Sequence, residues 1–244
     1  MPILRPVPPV TAVKSMLAIA VLSTLAACGS GDYTPPAAAA EKTVTISGTA
    51  ATGAPVVSGA VSVTCKTGSG TATTGADGSY TVKTSNPSEG PCVVTVTATN
   101  GVVLRSIAAG DGAKANVTPL TEMLVDYIVT QSGLAANASA ATIAASTGFA
   151  SVVNTPAVLA ASVAQVVSVV QTAAGSGVVV PSDFLTATLV PKTGTTAGNA
   201  QDQILDLLKT KNVITSTGDV SATVNTAIAA DAQSHHLTGA TGGT

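Results

Sequence analysis

The sequence predicts an α+β protein in which an N-terminal β-sandwich is followed by a C-terminal α-helical domain. Two patterns in the 244 residues support this. Between residues 42 and 117, apolar and polar residues alternate in short runs separated by Gly-rich or Pro-rich turns, as in a sandwich. From Thr118 onward, apolar residues recur every third or fourth position, which is the period of an amphipathic helix.

A basic and then apolar segment precedes both domains. Arg5 and Lys14 are the only charged residues before position 28, and residues 16–25 are apolar apart from Ser23 and Thr24. A basic region, a short apolar region and small residues at the cleavage point are typical of a secretory signal. The apolar region is too short to span a bilayer.

The end of this segment, Leu25-Ala26-Ala27-Cys28, resembles the lipobox of bacterial lipoproteins. The resemblance implies a signal peptide at 1–27, acylation of Cys28 with chains such as palmitate, and a lipid-anchored protein. Glycine at position 29 implies the outer membrane of a Gram-negative cell rather than the inner one. Residues 28–41 then form the anchor and a Pro- and Ala-rich linker. The alternative is an ordinary signal peptide with a chance cysteine.

The composition is poor in charged and aromatic residues. Charged residues make up 9% and aromatic residues 2% of the chain, whereas about 25% charged residues is usual. The core must therefore consist mainly of small side chains, each burying little apolar area. The net charge is −2, and cleavage before Cys28 leaves eight basic and twelve acidic residues, or −4. No basic patch supports nucleic-acid binding.

The alternating runs predict strands around residues 44–47, 61–66, 80–83 and 92–98. The dipeptides Asp77-Gly78 and Asn100-Gly101 predict hairpin turns, since both residue types tolerate positive φ. Cys65 and Cys92 are each in phase with the apolar face of their strand. If Cys28 carries lipid, this remaining pair in an exported protein predicts a disulfide. The alternative, a reactive or metal-binding pair, lacks a third ligand nearby.

A family resemblance covers residues 43–117 and supports the same domain, 42–117. Its most specific part is Thr74-x-x-Asp77-Gly78-x-Tyr80, and it includes Ile46-Ser-Gly48, Gly53-Ala-Pro55, Gly59-Ala60-Val61 and Val93-Val94-Thr-Val96. Together these motifs resemble the carboxypeptidase-regulatory-like domain. The resemblance implies a seven-stranded, transthyretin-like (prealbumin) sandwich of the broad immunoglobulin-like kind, in a non-catalytic module of a surface or secreted protein.

Residues 118–232 are predicted to form the helical domain, followed by a disordered tail at 233–244. Thr118-Pro119 and Thr155-Pro156 are helix starts, because a hydroxyl caps free amides and proline needs no N–H there. A short helix is expected between residues 133 and 148. Two more are expected from Asn199, with Ile204, Leu207 and Leu208 inward and Asp202, Asp206 and Lys209 outward, and from near Asp219, with Val220, Val224 and Ile228 inward.

No charged residue or histidine occurs from 127 to 182. Membrane insertion is disfavoured, because polar residues interrupt the stretch every few positions. Uncharged polar side chains serving as a solvent-facing surface are the favoured explanation. Burial against the β-domain or a partner is the alternative, and an exposed, weakly charged Ala/Val surface is where a protein partner would dock.

Catalytic and metal-binding patterns are lacking in the sequence. His235 and His236 are the only histidines, adjacent in the tail, and four metal ligands cannot gather there. Asp202 and Asp206 are interpreted as a solvated pair. Asp77 and Asp111 lie in Gly-flanked turns and could bind calcium, but calcium needs six to eight oxygens, so plain turns are favoured. No enzyme activity, cofactor or metal is predicted.

These observations predict a non-catalytic envelope lipoprotein that acts as a protein-interaction or structural module, periplasmic or surface-facing. The alternative is a glycan- or small-ligand-binding lipoprotein. That function requires a concave site lined by aromatic residues. The chain offers few for it: Tyr33, Tyr80, Tyr127, Phe149 and Phe184.

Overall fold

The computed structural model describes residues 42–85, 87–175, 177–194 and 196–237. These residues belong to one compact unit. The predicted signal peptide, Cys28, the linker and residues 238–244 lie outside them. In the described part of the chain, six strands and six helices confirm the α+β class.

The strands form two antiparallel sheets, with the order β1-β4 in the small sheet and β3-β2-β5-β6 in the large one. They are β1 Thr45–Thr49, β2 Ala60–Thr67, β3 Ser69–Thr73, β4 Ser79–Lys83, β5 Glu89–Thr97 and β6 Val103–Ala108. The expected seven-stranded sandwich is therefore wrong in its strand count, since the described residues contain six. Residues 113–117 run parallel to β1 but form no continuous ladder with it: isolated bridges join Ser47 to Lys114 and Ala50 to Val117, and the Thr49 N–H donates to the Asn116 side chain.

The sandwich core lies between the two sheets. Alternate residues of each strand point into it, including Ile46, Val63, Val82 and Val94, all almost fully buried. Tyr80, the aromatic residue of the Asp-Gly-x-Tyr motif, is also buried here, and its hydroxyl donates to the Ala115 carbonyl. Burial raises the pKa of this hydroxyl, so it stays protonated as a donor.

Glycine at position 48 allows the 113–117 segment to approach β1. A Cβ atom built on Gly48 would lie 1.8 Å from the Ala115 carbonyl oxygen. Any side chain at this position would therefore push the segment away from the strand and break the contact that Tyr80 makes with it.

Cys65 and Cys92 form a disulfide inside the sandwich core, as predicted. They lie directly opposite each other on the neighbouring strands β2 and β5. Both are buried, so the bond adds to the apolar packing of the sheet as well as linking two strands.

The helices are α1 Pro119–Gln131, α2 Ala140–Ala145, α3 Thr147–Val153, α4 Pro156–Ala174, α5 Ala200–Thr210 and α6 Ala222–Ser234. The predicted starts at Thr118-Pro119, Thr155-Pro156 and Asn199 are confirmed. The single short helix expected between residues 133 and 148 is instead two helices, because Ser146 ends α2 and caps α3. The last helix begins at Ala222, since Asp219 closes a turn by accepting the Thr215 N–H at its carbonyl.

A second apolar core joins the helices to the outer face of the large sheet. Val93 and Ile107 from the sheet contact it, and Tyr127 and Phe149 are its largest fully buried side chains. The prediction that Leu207 points inward is wrong. Leu207 is 37% exposed, and the neighbouring Leu205 is buried in its place.

Helix α1 is fastened to the edge strand β6 by a cluster of three charged side chains. The Arg105 guanidinium bonds the carboxylates of Glu122 and Asp126, both on α1. The backbone of Arg105 is also held by α1, because its N–H donates to Glu122 and its carbonyl accepts from the Thr121 hydroxyl. Both backbone groups of this edge residue and two of its three guanidinium nitrogens thus bond one helix.

The electrostatics of the cluster reflect its partial burial. Burial raises the pKa of Glu122 and Asp126 above the ordinary carboxyl values, and the opposing attraction of Arg105 only partly offsets this. For Arg105, burial lowers the pKa, but the hydrogen bonds and charges of the two carboxylates outweigh it and raise the value overall.

Removing the disulfide is expected to destabilise the fold. Replacing both cysteines with alanine opens a loop of 27 residues, which should lower the free energy of unfolding by roughly 3–4 kcal/mol. Urea denaturation of the double variant Cys65→Ala/Cys92→Ala measures this. The oxidised wild type is the reference, and the wild type under strong reductant should match the variant. A loss below about 1 kcal/mol would contradict the expectation.

Candidate docking surface

The charge-free stretch, residues 127–182, is mostly interior, and α4 is its exposed part. Tyr127, Ile128, Phe149 and Val152 of the preceding helices are all fully buried. By contrast, only 28% of the most apolar 18-residue segment of α4 is buried. The surface that the stretch presents to solvent is therefore largely the outer side of this one helix.

The inner side of α4 holds it against the helical core. Val163, Val166 and Val170 recur at helical spacing and are buried there. Ser162, also buried, donates a hydrogen bond of 3.0 Å to the Gln131 side-chain oxygen at the end of α1. The helix is thus fixed in orientation by three valines and one polar contact.

The outer side of α4 is a row of small, uncharged residues. Ala157, Ala161, Ala164, Ser168 and Thr172 are exposed and are separated by three or four positions, so they lie on one face. Short side chains allow the backbone of an approaching helix to come closer than longer ones would. We call this row the α4 outer face.

By length and composition α4 is also the one helix in the described residues that could cross a membrane, with a mean hydropathy of 1.7. Length and hydropathy alone do not distinguish a membrane-spanning helix from a core helix of a water-soluble protein. Helix α4 packs its valines in the core and exposes its alanines, as an amphipathic helix on the side of a globular fold does.

A second apolar surface lies between the segment that follows α4 and helix α5. It is an open groove of about 340 Å³ lined by Val179, Pro181, Ala200, Gln203, Ile204 and Leu207. Val179 is 76% exposed and Leu207 is 37% exposed, so two large apolar side chains face solvent here.

Asp202 contradicts the prediction that it faces outward. Asp202 is only 1% exposed, because the segment before α5 folds back over the start of the helix. The Lys192 N–H donates to one carboxylate oxygen at 2.9 Å, and the other oxygen is buried without a hydrogen-bond partner among the described residues. Burial raises the pKa of Asp202.

Asp77 and Asp111 act as turn residues. One oxygen of Asp77 accepts from the hydroxyl of Ser79 at 2.6 Å and from its N–H at 3.0 Å, and these bonds lower the pKa of Asp77. Asp111 accepts from the Thr45 N–H at 2.7 Å. In the described part of the chain, no group of three or more His, Cys, Asp or Glu residues could hold a metal ion.

The two histidines lie at the end of α6, which extends through Ser234. His236 contacts the Gln131 carbonyl at 3.3 Å. The Nδ1 atom of His235 lies 3.3 Å from the Asp231 carboxylate and 3.0 Å from the Ser234 hydroxyl. A catalytic triad needs the acid and the nucleophile on opposite ring nitrogens, whereas both meet the same nitrogen here.

Sequence reasoning missed the Arg105 cluster. One signal could have indicated it, because Arg105 is the only arginine after position 5 in a chain with few charges. Its partners lie 17 and 21 residues away on another element. Only the packing of α1 on β6 brings the three residues together.

Comparison with known proteins gives no relative. No protein-family model matches the chain, no curated protein is significantly similar to it, and no solved structure matches it significantly. The resemblances to a lipobox and to a carboxypeptidase-regulatory-like domain therefore stay predictions.

The buried Asp202 predicts a pH-dependent stability. Because its pKa is raised in the folded state, its favourable contribution is present at low pH and is lost as the pH rises through the folded value. Asp202→Asn removes this ionisation and keeps an oxygen for the Lys192 N–H. The variant should match the wild type near about pH 4 and be more stable near about pH 8.

Urea denaturation across this pH range measures the effect. The control is Asp183→Asn, which removes the same charge at an exposed position of the segment that precedes α5. It should leave the pH dependence of stability unchanged. Equal pH dependence in wild type and Asp202→Asn would show that Asp202 does not cause it.

Proposed function

We propose that this protein is a non-catalytic envelope lipoprotein that binds a protein partner through the α4 outer face. The observation that carries the proposal is the exposure of that face. The 19-residue helix α4 presents small, uncharged side chains to solvent, and only 28% of its most apolar 18-residue segment is buried. Weakly charged apolar surfaces of this kind are typical of sites where partners dock.

Support for the envelope location comes from the sequence and the disulfide. Leu25-Ala26-Ala27-Cys28 resembles a lipobox, and a buried disulfide suits an oxidising compartment outside the cytoplasm. In this proposal Cys28 carries the lipid, residues 29–41 act as a tether, and the outer membrane holds the protein on its periplasmic or outer side.

Support for a module rather than an enzyme comes from the sandwich. The motif ending in Tyr80 and the alternating strands resemble the carboxypeptidase-regulatory-like family, whose members are mostly non-catalytic. In this proposal the sandwich is a structural support that presents the helical layer to the partner.

A second candidate function is binding of a small neutral ligand such as a sugar. A cleft of about 240 Å³ lies where three loops meet, and Thr52, Pro55, Val57, Asn100 and Thr217 are among its lining residues. Its hydroxyl and amide groups suit such a ligand. The cleft is smaller than the roughly 300–1,000 Å³ of ordinary ligand pockets, and no aromatic residue lines it. Protein docking is therefore the better-supported function.

Lipidation is tested by replacing Cys28 with serine. We expect Cys28→Ser to abolish incorporation of labelled palmitate and to shift the protein out of the membrane fraction, because anchoring depends on buried acyl chains. Fractionation of cells expressing wild type and variant measures this. The control is Cys65→Ser/Cys92→Ser, which retains the lipidation site. Unchanged labelling in Cys28→Ser would contradict the anchor.

Partner docking is tested by placing a charge on the α4 outer face. Helix α4 has no amine or carboxylate for a chemical cross-linker, so a photoreactive amino acid is placed at Ala161 of the otherwise wild-type chain. In-cell photo-cross-linking followed by mass spectrometry should then give a recurrent partner. Ala164→Lys should lower the yield of that adduct about tenfold or more, because the substitution puts an unpaired charge in the contact.

The matched control is Ala227→Lys on α6. It makes the same substitution at another exposed helical alanine, and it should leave the adduct unchanged. If Ala164→Lys cross-links as well as Ala227→Lys does, or if the wild type gives no recurrent adduct, α4 is not the docking surface.

A further inference from the structure

The two sheets present four edges, formed by β1, β4, β3 and β6. A free edge exposes a row of unpaired N–H and C=O groups, onto which another strand can be added. This chain closes the β6 edge at its centre, where α1 bonds both the N–H and the C=O of Arg105.

The edge of β1 is also closed by the chain itself. Ser47 exchanges hydrogen bonds of 3.2 and 2.8 Å with the backbone of Ala113 and Ala115. The N–H of Thr49 donates to the Asn116 side chain, and its carbonyl accepts from the Val117 N–H. The outward groups of β1 therefore have partners.

The edge of β3 is different. Cys65 donates to the Gly68 carbonyl and Thr74 to the Gly59 carbonyl, which sets the phase of the β2–β3 ladder. In an antiparallel pair the residues between hydrogen-bonded positions turn their N–H and C=O away from the partner strand. On β3 these outward residues are Ser69, Thr71 and Thr73.

Ser69 is closed by Ser85, which bonds its carbonyl at 2.8 Å and its N–H at 3.2 Å. The outward backbone groups of Thr71 and Thr73 have no such partner among the described residues. Both side chains are exposed, and the strand Ser-Gly-Thr-Ala-Thr contains no charge, proline or bulge. Charged residues, prolines and bulges normally protect an edge strand from pairing, and β3 lacks all three.

The neighbouring edge strand β4 is better protected. Asp77 and Gly75 bond the outward groups of Ser79, and Lys83 places a charge at the other end. Between them, the outward backbone groups of Thr81 have no partner among the described residues. Of the four edges, β3 is the one that combines free backbone groups on two alternate residues with a strand that contains no charge.

We propose that β3 pairs antiparallel with β3 of a second copy of this chain. A two-fold axis near Ala72 would place Thr71 opposite Thr73 of the partner subunit, and Thr73 opposite Thr71 of the partner subunit. This arrangement forms four main-chain hydrogen bonds and joins the two large sheets into one of eight strands. Opposed threonines are favourable cross-strand neighbours, and the two-fold contact closes on itself without forming a fibre.

A second copy is favoured over another occupant because the edge is self-complementary. Its free groups are two donors and two acceptors, which the same two residues of a second copy match under the two-fold, and the paired strands themselves contain no charge. Since only two residues of each strand take part, the dimer is expected to be weak and to depend on protein concentration. The β3 edge is separate from the α4 outer face, so a dimer formed through it is independent of the proposed function.

Amide hydrogen exchange of the full chain tests the proposal. The N–H groups of Thr71 and Thr73 should exchange about tenfold more slowly at a protein concentration of about 1 mM than at about 10 µM, because the second strand bonds them. Thr71→Lys should remove this dependence on concentration, since it introduces like charges across the contact. The amides of β2 and β5 report in the same experiment whether the variant is folded.

Thr81→Lys is the matched control, because Thr81 is an exposed threonine of the adjoining edge strand β4. It should keep the concentration dependence of the wild type. Exchange of Thr71 and Thr73 that does not change with concentration would overturn the proposal. So would a loss of the dependence in Thr81→Lys equal to that in Thr71→Lys.

Discussion

The ionic cluster that Arg105 forms with Glu122 and Asp126 ties helix α1 to the edge strand β6, and through α1 it supports the helical layer. A partly buried ion pair adds little net stability, because desolvation opposes the Coulombic attraction. Breaking it is costly, however, since the remaining charges lose their partner. The cluster therefore acts mainly as a geometric constraint. It fixes how α1 lies along β6, and α1 in turn contacts α3, α4 and α6.

The small side chains of this protein make such constraints necessary. Valine and alanine make up most of the sandwich core and about half of the helical core, and each buries less apolar area than leucine or phenylalanine. Specific links supplement this packing: a disulfide between β2 and β5, the Tyr80 hydroxyl on Ala115, and the Ser162–Gln131 hydrogen bond. The α4 outer face follows from the same composition, because alanine covers a helix without charge.

Features that depend on local sequence could be predicted. The starts of α1, α4 and α5 are specified by a capping residue, and for α1 and α4 by the proline that follows it. The disulfide was predicted from the pair of cysteines that remains in an exported chain, together with the phase of Cys65 and Cys92 along their strands. The strand count was not predictable in this way, because 113–117 has an extended backbone whose bonds to β1 are shared with the Asn116 side chain.

Features that depend on distant contacts could not be predicted. Asp202 fits a solvent-facing position on α5 by spacing alone, and only the folded-back segment carrying Lys192 buries it. Leu207 fits an inward position by the same spacing, yet it lines the open groove. For the candidate surface, the sequence indicated a charge-free stretch of 56 residues. Only the packing of the core distinguishes the exposed α4 from the buried helices around it.

The position of β1 between two partners has a consequence for the order of assembly. On one side it pairs with β4, 30 to 38 residues ahead, from Thr49 opposite Ser79 to Thr45 opposite Lys83. On the other side it bonds the 113–117 segment, 67 residues ahead at Asn116. Contacts of such long sequence separation form late, because closing a long loop costs entropy before the contact is gained. As the chain is synthesised from its N-terminus, one edge of β1 therefore stays unpaired until residues 113–117 have been made. Completion of the small sheet and docking of the first helix then become a single cooperative step.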